Sequence, residues 1–598
     1  MSRLNYSVNQ NQVDIILNWI LSGEIAIPEI QRPFVWNSTK VRDFVDSLYR
    51  GYPVGYLIVW KNPNVRLKDG SISSGKKILV DGQQRVSALM AALLGKEIVD
   101  KDYRRKRIYI AFNPEKEIFE VADASIWKDK NWIPDIAEVF KKDFHILKFI
   151  KKYCDENEDI DEDDLSEKIE SLKGIVNNSI GLIELNSDLD IDAVTDIFIR
   201  INSQGVELNQ ADFAMSKIAA DELHNGNILR KAIDYFCHLA VEPSFYNQLN
   251  EVDREFTQTE YFDKMAWLKT EIDDLYDPSY SDLLRTVFTY KFKRGKLQVL
   301  VALLSGRNFE THTYEESIVE DSFRKLDDGI KTFMNESNFK KFLLILRSAG
   351  FVSPSLITSQ NVVNFAYALY LTLKETNMNP AKIESLVRRW FVFSALTSRY
   401  SESPETHFDY DIRNITQGDP EEYIQKVIAS ELSESFWELT LPQQMVTSSA
   451  NSPYFNVFLA SQVKNNDKGF LSKDILVKDL IEVKGDVHHV FPREYLKQYG
   501  YSKGNYNQIA NYVMVQNEIN IEIGSKPPNV YLKEILEQCR DGKLKYGGID
   551  SEKELMKNLE VHCIPTEIFD MDYSQYNDFL EKRRKLIAKK IQTYFSQL

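Results

Sequence analysis

Asp486-Val487-His488-His489-Val490-Phe491-Pro492, followed by Asn505, Asn507, Asn511 and then Asn517-Glu518-Ile519-Asn520, joins two imidazoles to a short β-like apolar stretch that ends at a proline. Successive side chains of a strand point to opposite faces. If the pair is extended, His488 and His489 cannot serve one role from one side. One can ligate a metal while the other activates water, provided the backbone turns there. With eight histidines in the chain, an adjacent pair is by itself a weak signal. Asn511 and Asn520 stand nine positions apart.

The 598 residues around this segment are too many for one hydrophobic core, and two to four domains are expected. Hydrophobic residues at 43% and charged residues at 27% are ordinary for a globular chain. No apolar run approaches the roughly 18 residues of a bilayer span, and Met1-Ser-Arg-Leu-Asn-Tyr lacks the apolar core of a signal peptide. Cys154, Cys237, Cys539 and Cys563 are scattered without a C-x-x-C pair, so neither a disulfide framework nor a zinc knuckle is indicated. A cytoplasmic location without membrane attachment is the expectation. The net charge of -15 argues against a passive coat on nucleic acid, which rests on neutralising phosphates, but not against an enzyme that gathers basic groups locally. Candidates are Arg104-Arg105-Lys106-Arg107, residues 291–296, and Lys582-Arg583-Arg584-Lys585 with Lys589-Lys590. The plain alternative for each is a solvated face.

Three domains are expected: a mixed α/β domain over 1–225, a helical domain over 226–445 and a compact domain over 446–598, which together make a multidomain α/β plus α protein. Ser38 can cap a helix bearing Val41, Phe44, Val45 and Leu48 on one side, stopped by Gly51-Tyr52-Pro53. Residues 56–60, 77–80 and 107–112 read as strands. The second runs into Asp81-Gly82-Gln83-Gln84-Arg85 and a helix with Val86, Leu89, Met90, Leu93 and Leu94 on one face. The acidic run over 155–164 reads as a solvated loop or helix start. Helical periodicity dominates from 226, including 343–346 and 362–373, and Trp267, Trp390, Phe391 and Phe393 read as core. Residues 401–406 and 414–419 read as loops, and 447–453 as a linker.

Two more segments of the first domain carry chemistry besides Asp81-Gly82-Gln83-Gln84-Arg85: Ile27-Pro28-Glu29-Ile30-Gln31-Arg32-Pro33-Phe34-Val35-Trp36 and Phe198-Ile199-Arg200-Ile201-Asn202-Ser203-Gln204-Gly205. A strand-to-helix turn with a glycine presents backbone N–H groups, a ready anion site. Arg32 and Arg85 could each clamp a phosphate. Gln83 and Gln84 suit a base, a ribose or a positioned water, and Asp81 is the carboxylate best placed for Mg²⁺ or a water. No Walker P-loop is present. Composition leaves buried polar networks and nucleotide sites equally open.

Taken together, Gln31-Arg32-Pro33-Phe34-x-Trp36, Gly51-Tyr52-Pro53, Asp81 through Arg85 and Phe198-x-x-x-Asn202-x-x-Gly205 resemble the N-terminal domain of GmrSD-type, modification-dependent (type IV) restriction systems, which has a ParB/sulfiredoxin-like core. Residues 390–400 resemble part of the helical region of those systems. The segment from 486 to 520 resembles their HNH (ββα-metal) nuclease motif. The resemblance implies His489 as general base, His488 and Asn520 as metal ligands, and Asn511 as the brace of the loop between the strands. Many family members carry Asp where His488 stands, and Asp486 is the reserve ligand. It further implies an NTP, GTP or ATP, held by Gln31, Arg32, Asp81, Gly82, Gln83, Gln84, Arg85 and Asn202, and DNA as substrate, above all modified phage DNA. Amide and carbonyl oxygens with one imidazole suit Mg²⁺ or Mn²⁺. Double-strand cutting from one site needs a homodimer or two nicks. Two other functions compete: a nucleotide-driven DNA-sensing switch with a non-catalytic HNH fold, and a nuclease acting on RNA.

Overall fold

The computed structural model of the chain describes residues 6–26, 34, 36–61, 77–99, 105–157, 160–186, 189, 197, 210–221, 223–271, 273, 275–313, 315–483 and 487–598. It is mixed α/β and mostly helical. The chain divides into two compact units, Met1–Glu271 with Val301–Phe323, and Ile272–Leu300 with Arg324–Leu598.

The first unit is built on a mixed five-stranded sheet. Its strands are β1 (Tyr6–Gln12), β2 (Ile25–Ala26), β3 (Tyr56–Lys61), β4 (Lys77–Asp81) and β5 (Ser179–Leu185), in the order β1-β5-β3-β4-β2. Leu57, Ile58, Val59 and Trp60 are all buried, so β3 is covered on both faces and reads as a continuous apolar run rather than an alternating one. It pairs parallel with β5 and antiparallel with β4. The β3–β4 register slips between Ile58, opposite Asp81, and Val59, opposite Leu79. Helix α1 (Val13–Leu21) follows β1 directly. Helix α2 (Ser38–Tyr49) buries Val41, Phe44, Val45 and Leu48 as its spacing predicts. Its N-cap is Asn37, one residue earlier than expected, whose Oδ1 accepts from the Lys40 N–H. Helix α3 (Gln83–Leu93) buries Val86, Leu89 and Leu93, while Met90 and Leu94 lie half-buried at the core's margin.

The expected strand over 107–112 is interrupted: Arg105–Lys106 and Ile110–Asn113 belong to separate two-stranded ribbons. Arg107 turns inward to donate to Ala91 O, Ile108 O and the Asp135 carboxylate, which an unbroken pleat does not allow. This also removes Arg107 from the basic cluster. In the acidic run, Asp161 caps a helix that starts at Glu162 by accepting from the Asp163 and Asp164 N–H groups.

The second unit is centred on α4 (Gln360–Lys374), buried on all sides from Val362 to Leu373. Against it packs α5 (Pro380–Leu396), with Trp390, Phe391 and Phe393 in the core. Trp390 Nε1 donates to Tyr400 Oη, and Tyr400 in turn donates to the fully buried Asp411 carboxylate, which also receives Arg399 bidentately and Tyr423. Residues 390–400 therefore do structural work. Helix α6 (Pro404–Gln417) covers part of both expected loops. Only 401–403 precede it, and Asn414 and Thr416 stay helical because Nδ2 and Oγ1 bond back to the carbonyls of Tyr410 and Ile412. Gly418 ends it.

His562 is fully buried, with Nε2 on Lys468 O at 2.9 Å and Nδ1 facing Gln462 Nε2 at 3.2 Å. Burial pushes its pKa down to about 3. The unfolded chain takes this proton near the ordinary value of 6.5 and the native chain does not. Stability therefore falls as pH drops below that value, at up to about 1.4 kcal/mol per pH unit and about 2 kcal/mol by pH 5. Urea unfolding at these two pH values should show that loss, and His562→Gln should flatten it.

Candidate functional site

The two histidines lie on β6 (Val487–His489), which pairs antiparallel with β7 (Tyr512–Met514) in the register Val487↔Met514, His488↔Val513, His489↔Tyr512. Helix α7 (Asn517–Ile523) follows, giving a strand-strand-helix order. Its Ile519 and Ile523 are buried in the local core, and Asn520 lies half-buried beside them. On the strand, His488 and His489 take opposite faces.

The connection between the strands is held by its own side chains. Asn511 is fully buried; its Oδ1 accepts from the Phe491 N–H at 2.8 Å, and its Nδ2 donates to Phe491 O and Tyr506 O, each at 3.1 Å. Tyr531 Oη donates to Val490 O, and Tyr576 Oη to Asn505 O. One more clamp comes from the helices that follow, α8 (Glu552–Val561) and α9 (Tyr576–Ser596). Arg583 of α9 is fully buried and donates to Ala510 O and His562 O. Burial lowers its pKa to about 10.

His489 faces Tyr512 edge-on with ring centroids 5.2 Å apart, and its Nε2 lies 2.9 Å from Asn507 Oδ1. With that amide oxygen towards the ring, Nε2 carries the proton and Nδ1 holds the lone pair. Burial lowers the His489 pKa, the Asn507 bond opposes this, and the charges of Arg493 and His488 add to it. The imidazole is neutral at pH 7 and able to accept a proton. The sequence singles out Asn507 only as one of several asparagines; its place against His489 follows from the folded loop and has no signature in spacing.

For a metal, His488 offers an imidazole nitrogen and Asn520 an amide oxygen, while Asp486 lies outside the described residues. Among the described residues no group of three His, Cys, Asp or Glu is placed to hold an ion. A donor set this small fits a hard divalent ion that keeps water and phosphate oxygens as its other ligands.

The basic stretch of α9 is largely occupied. Besides Arg583, Lys582 pairs with Glu567 and Asp578, Lys585 with Glu581, Lys590 with Asp467, and Arg584 donates to Gln508 Oε1. Lys291 likewise pairs with Asp328 and Glu375.

In the first unit, Asp81 ends β4 and Gly82 caps α3 in the left-handed region at φ +100°. Gly82, at the N-cap, brings no side chain to cap the first turn of α3. Gln83 and Gln84 are buried, and Gln83 Oε1 has no hydrogen-bond partner among the described residues. A buried orphan acceptor is rare and leaves room for a donor. Arg85 is less free than its motif implies: Nε donates to Val54 O, Nη1 to Tyr56 O, and Asp81 lies 3.6 Å away. Gln31, Arg32 and Asn202 lie outside the described residues. A Cβ on Gly82 would stand 2.3 Å from Leu57 Cδ2, on top of the positive φ. Gly82→Ala should therefore cost about 2–4 kcal/mol, read as a lower melting temperature.

Residues 14–219 match the family model described as GmrSD restriction endonuclease, N-terminal domain. The GmrSD match thus spans β2 to β5 of the sheet, the Asp81–Arg85 junction and the helices around them, and leaves out the edge strand β1. The chain is also similar to an uncharacterized protein of Methanocaldococcus jannaschii (strain ATCC 43067), 22% identical over 643 aligned positions that cover 97% of this chain and 98% of the relative. The GmrSD similarity associates the chain with restriction endonucleases, and hence with DNA. No helix among the described residues is long and apolar enough to cross a membrane.

Proposed function

We propose that this chain is a single-chain, modification-dependent restriction endonuclease of anti-phage defence. Residues 487–523 would act as an HNH (ββα-metal) site that hydrolyses DNA phosphodiesters, under control of an NTP held by a ParB-like N-terminal domain. The observation that carries the reading is His489: a half-buried, neutral imidazole fixed through Nε2 by Asn507 within a strand-strand-helix segment, in a chain whose N-terminal third matches a restriction endonuclease domain.

A phosphodiester resists hydrolysis because hydroxide must approach an anion and an alkoxide must leave. His489 takes the proton from the attacking water through Nδ1. Asn507 holds the ring, and Asn511 holds the loop that carries Asn507. His488 and Asn520 would hold Mg²⁺ or Mn²⁺, whose contribution when bound is to offset charge on the phosphoryl and leaving 3′ oxygens. In the first unit, the N–H groups at the start of α3 would receive phosphate, Gln83 the sugar or base of GTP or ATP, and Asp81 a Mg²⁺ ion or a water. Gln31, Arg32, Gln84 and Asn202 would complete the nucleotide site. Arg85, bonded to Val54 O and Tyr56 O, mainly fixes the junction. Double-strand cuts would require a homodimer or successive nicks.

Cells carrying the wild-type, Asp81→Ala or His489→Ala chain, challenged with phages that differ only in DNA modification, test this reading. Protection against some modified phages, lost in both variants, is expected. Protection that survives His489→Ala would favour a switch with a non-catalytic HNH fold, and cutting of RNA alone in digests with Mg²⁺ or Mn²⁺ would favour a ribonuclease.

A further inference from the structure

The second unit contains an open cavity of about 550 Å³, walled by residues 465–468, by Ser472 and Lys473, and by one face of α8. Four lysines line it, Lys468, Lys473, Lys553 and Lys557, against two carboxylates, Asp467 and Glu554. The excess is 4 − 2 = +2, in a chain whose net charge is -15. Removing the paired groups leaves the same excess. Asp467 is bound by Lys590 and Lys473 by Asp550, leaving Lys468, Lys553 and Lys557 against Glu554. These three lysines form no ion pair among the described residues, whereas most neighbouring cations do.

Lys553 and Lys557 stand one turn apart on α8, a like-charge pair that weakens a helix unless an anion sits between them. Nearby amides, Asn465 and Asn466, add neutral donors at the rim. The wall is also tied to the strand-strand-helix segment. The Phe470 N–H donates to Met514 O of β7 at 2.8 Å. Ser472 Oγ donates to Oε1 of Gln516, the residue that caps α7, at 2.9 Å.

We propose that this cavity receives phosphate groups of the DNA backbone beside the segment being cut, through Lys468, Lys553 and Lys557. The assignment rests on the nuclease reading for its substrate, but not on the chemistry of His489. Exposed ammonium groups around an open, polar cavity suit a polyanion, which gains by counterion release, better than a small ligand that needs enclosure. The cavity would then supply the local positive charge that the overall acidity of the chain withholds.

The test measures binding of a plain DNA duplex to the full chain carrying His489→Ala, with EDTA, across about 50–200 mM NaCl. Each phosphate contact steepens the fall of log affinity with log salt by about 0.9. Lys468→Gln/Lys553→Gln/Lys557→Gln should reduce that slope by about two to three and weaken binding at low salt, with an unchanged melting temperature. The corresponding triple Arg variant should restore it. An unchanged slope, or no DNA binding by the parent protein, overturns the proposal. So does calorimetry in which inorganic phosphate or GTP binds and is lost in the triple Gln variant while the DNA slope stays the same, because the ligand is then a free phosphate. A separate digest of plasmid and modified phage DNA by the unaltered chain tests cleavage. A reduced slope together with no cutting retains the cavity and removes the nuclease reading, and cutting with an unchanged slope does the reverse.

Discussion

His489→Ala should lower the rate of DNA cleavage by about 10² to 10⁴-fold while leaving the melting temperature nearly unchanged. The size follows from what a positioned general base contributes to a proton transfer. The small effect on stability follows from the surroundings: among the described residues the half-buried ring makes one side-chain hydrogen bond, to Asn507, and packs edge-on against Tyr512. Time courses on a susceptible DNA with Mg²⁺ or Mn²⁺, together with a melt, separate the two quantities. Asn507 supplies a second comparison. Asn507→Asp keeps an oxygen acceptor for Nε2–H and should retain far more activity than Asn507→Leu, which keeps the bulk and loses the acceptor. Equal losses in the two variants would mean that Asn507 packs against the ring without orienting it. Cleavage at the wild-type rate by His489→Ala would remove the ring from the chemistry altogether.

Local patterns in the sequence were enough for the elements that position this site, and contacts between distant residues account for what they leave out. The periodicity of α2 was legible because one face of a surface helix is buried and the next is not. The His488-His489 pair and the spacing of Asn511 and Asn520 lie within 35 residues, so one segment carries both the β-like stretch and the resemblance that implies a second strand and a helix. β1 left no such trace: Tyr6, Val8 and its polar neighbours are exposed along an edge strand, and no alternation marks it. Residues 414–417 carry Asn and Thr and read as a loop, yet both side chains are satisfied by the carbonyl four residues back. Arg583 sits in a run of cations that reads as a surface patch. Only the folded chain brings Ala510 O and His562 O to its guanidinium and buries it. The role of Asn507 is of the same kind, since the loop's course decides which of several asparagines meets His489.

Asn511→Ala should destabilise the second unit by about 3–4 kcal/mol and abolish cleavage with it, the opposite pairing of effects from His489→Ala. Its side chain satisfies one N–H and two carbonyls of a buried loop, and removing it strands all three away from water. Asn511→Asp is the more informative change. An aspartate keeps the acceptor for the Phe491 N–H but turns an oxygen towards Phe491 O and Tyr506 O, where Nδ2 now donates. It should therefore be no better tolerated than alanine, although it is nearly the same size. Urea unfolding of the three proteins, followed by activity at a temperature where each remains folded, separates loss of fold from loss of geometry. Where Asn511→Ala is folded but inactive, the loop has lost the position of Asn507, and through it the orientation of His489. Near-wild-type stability in Asn511→Asp would show that the two carbonyls find other donors, leaving Arg583 and Tyr531 as the groups that hold the loop in place.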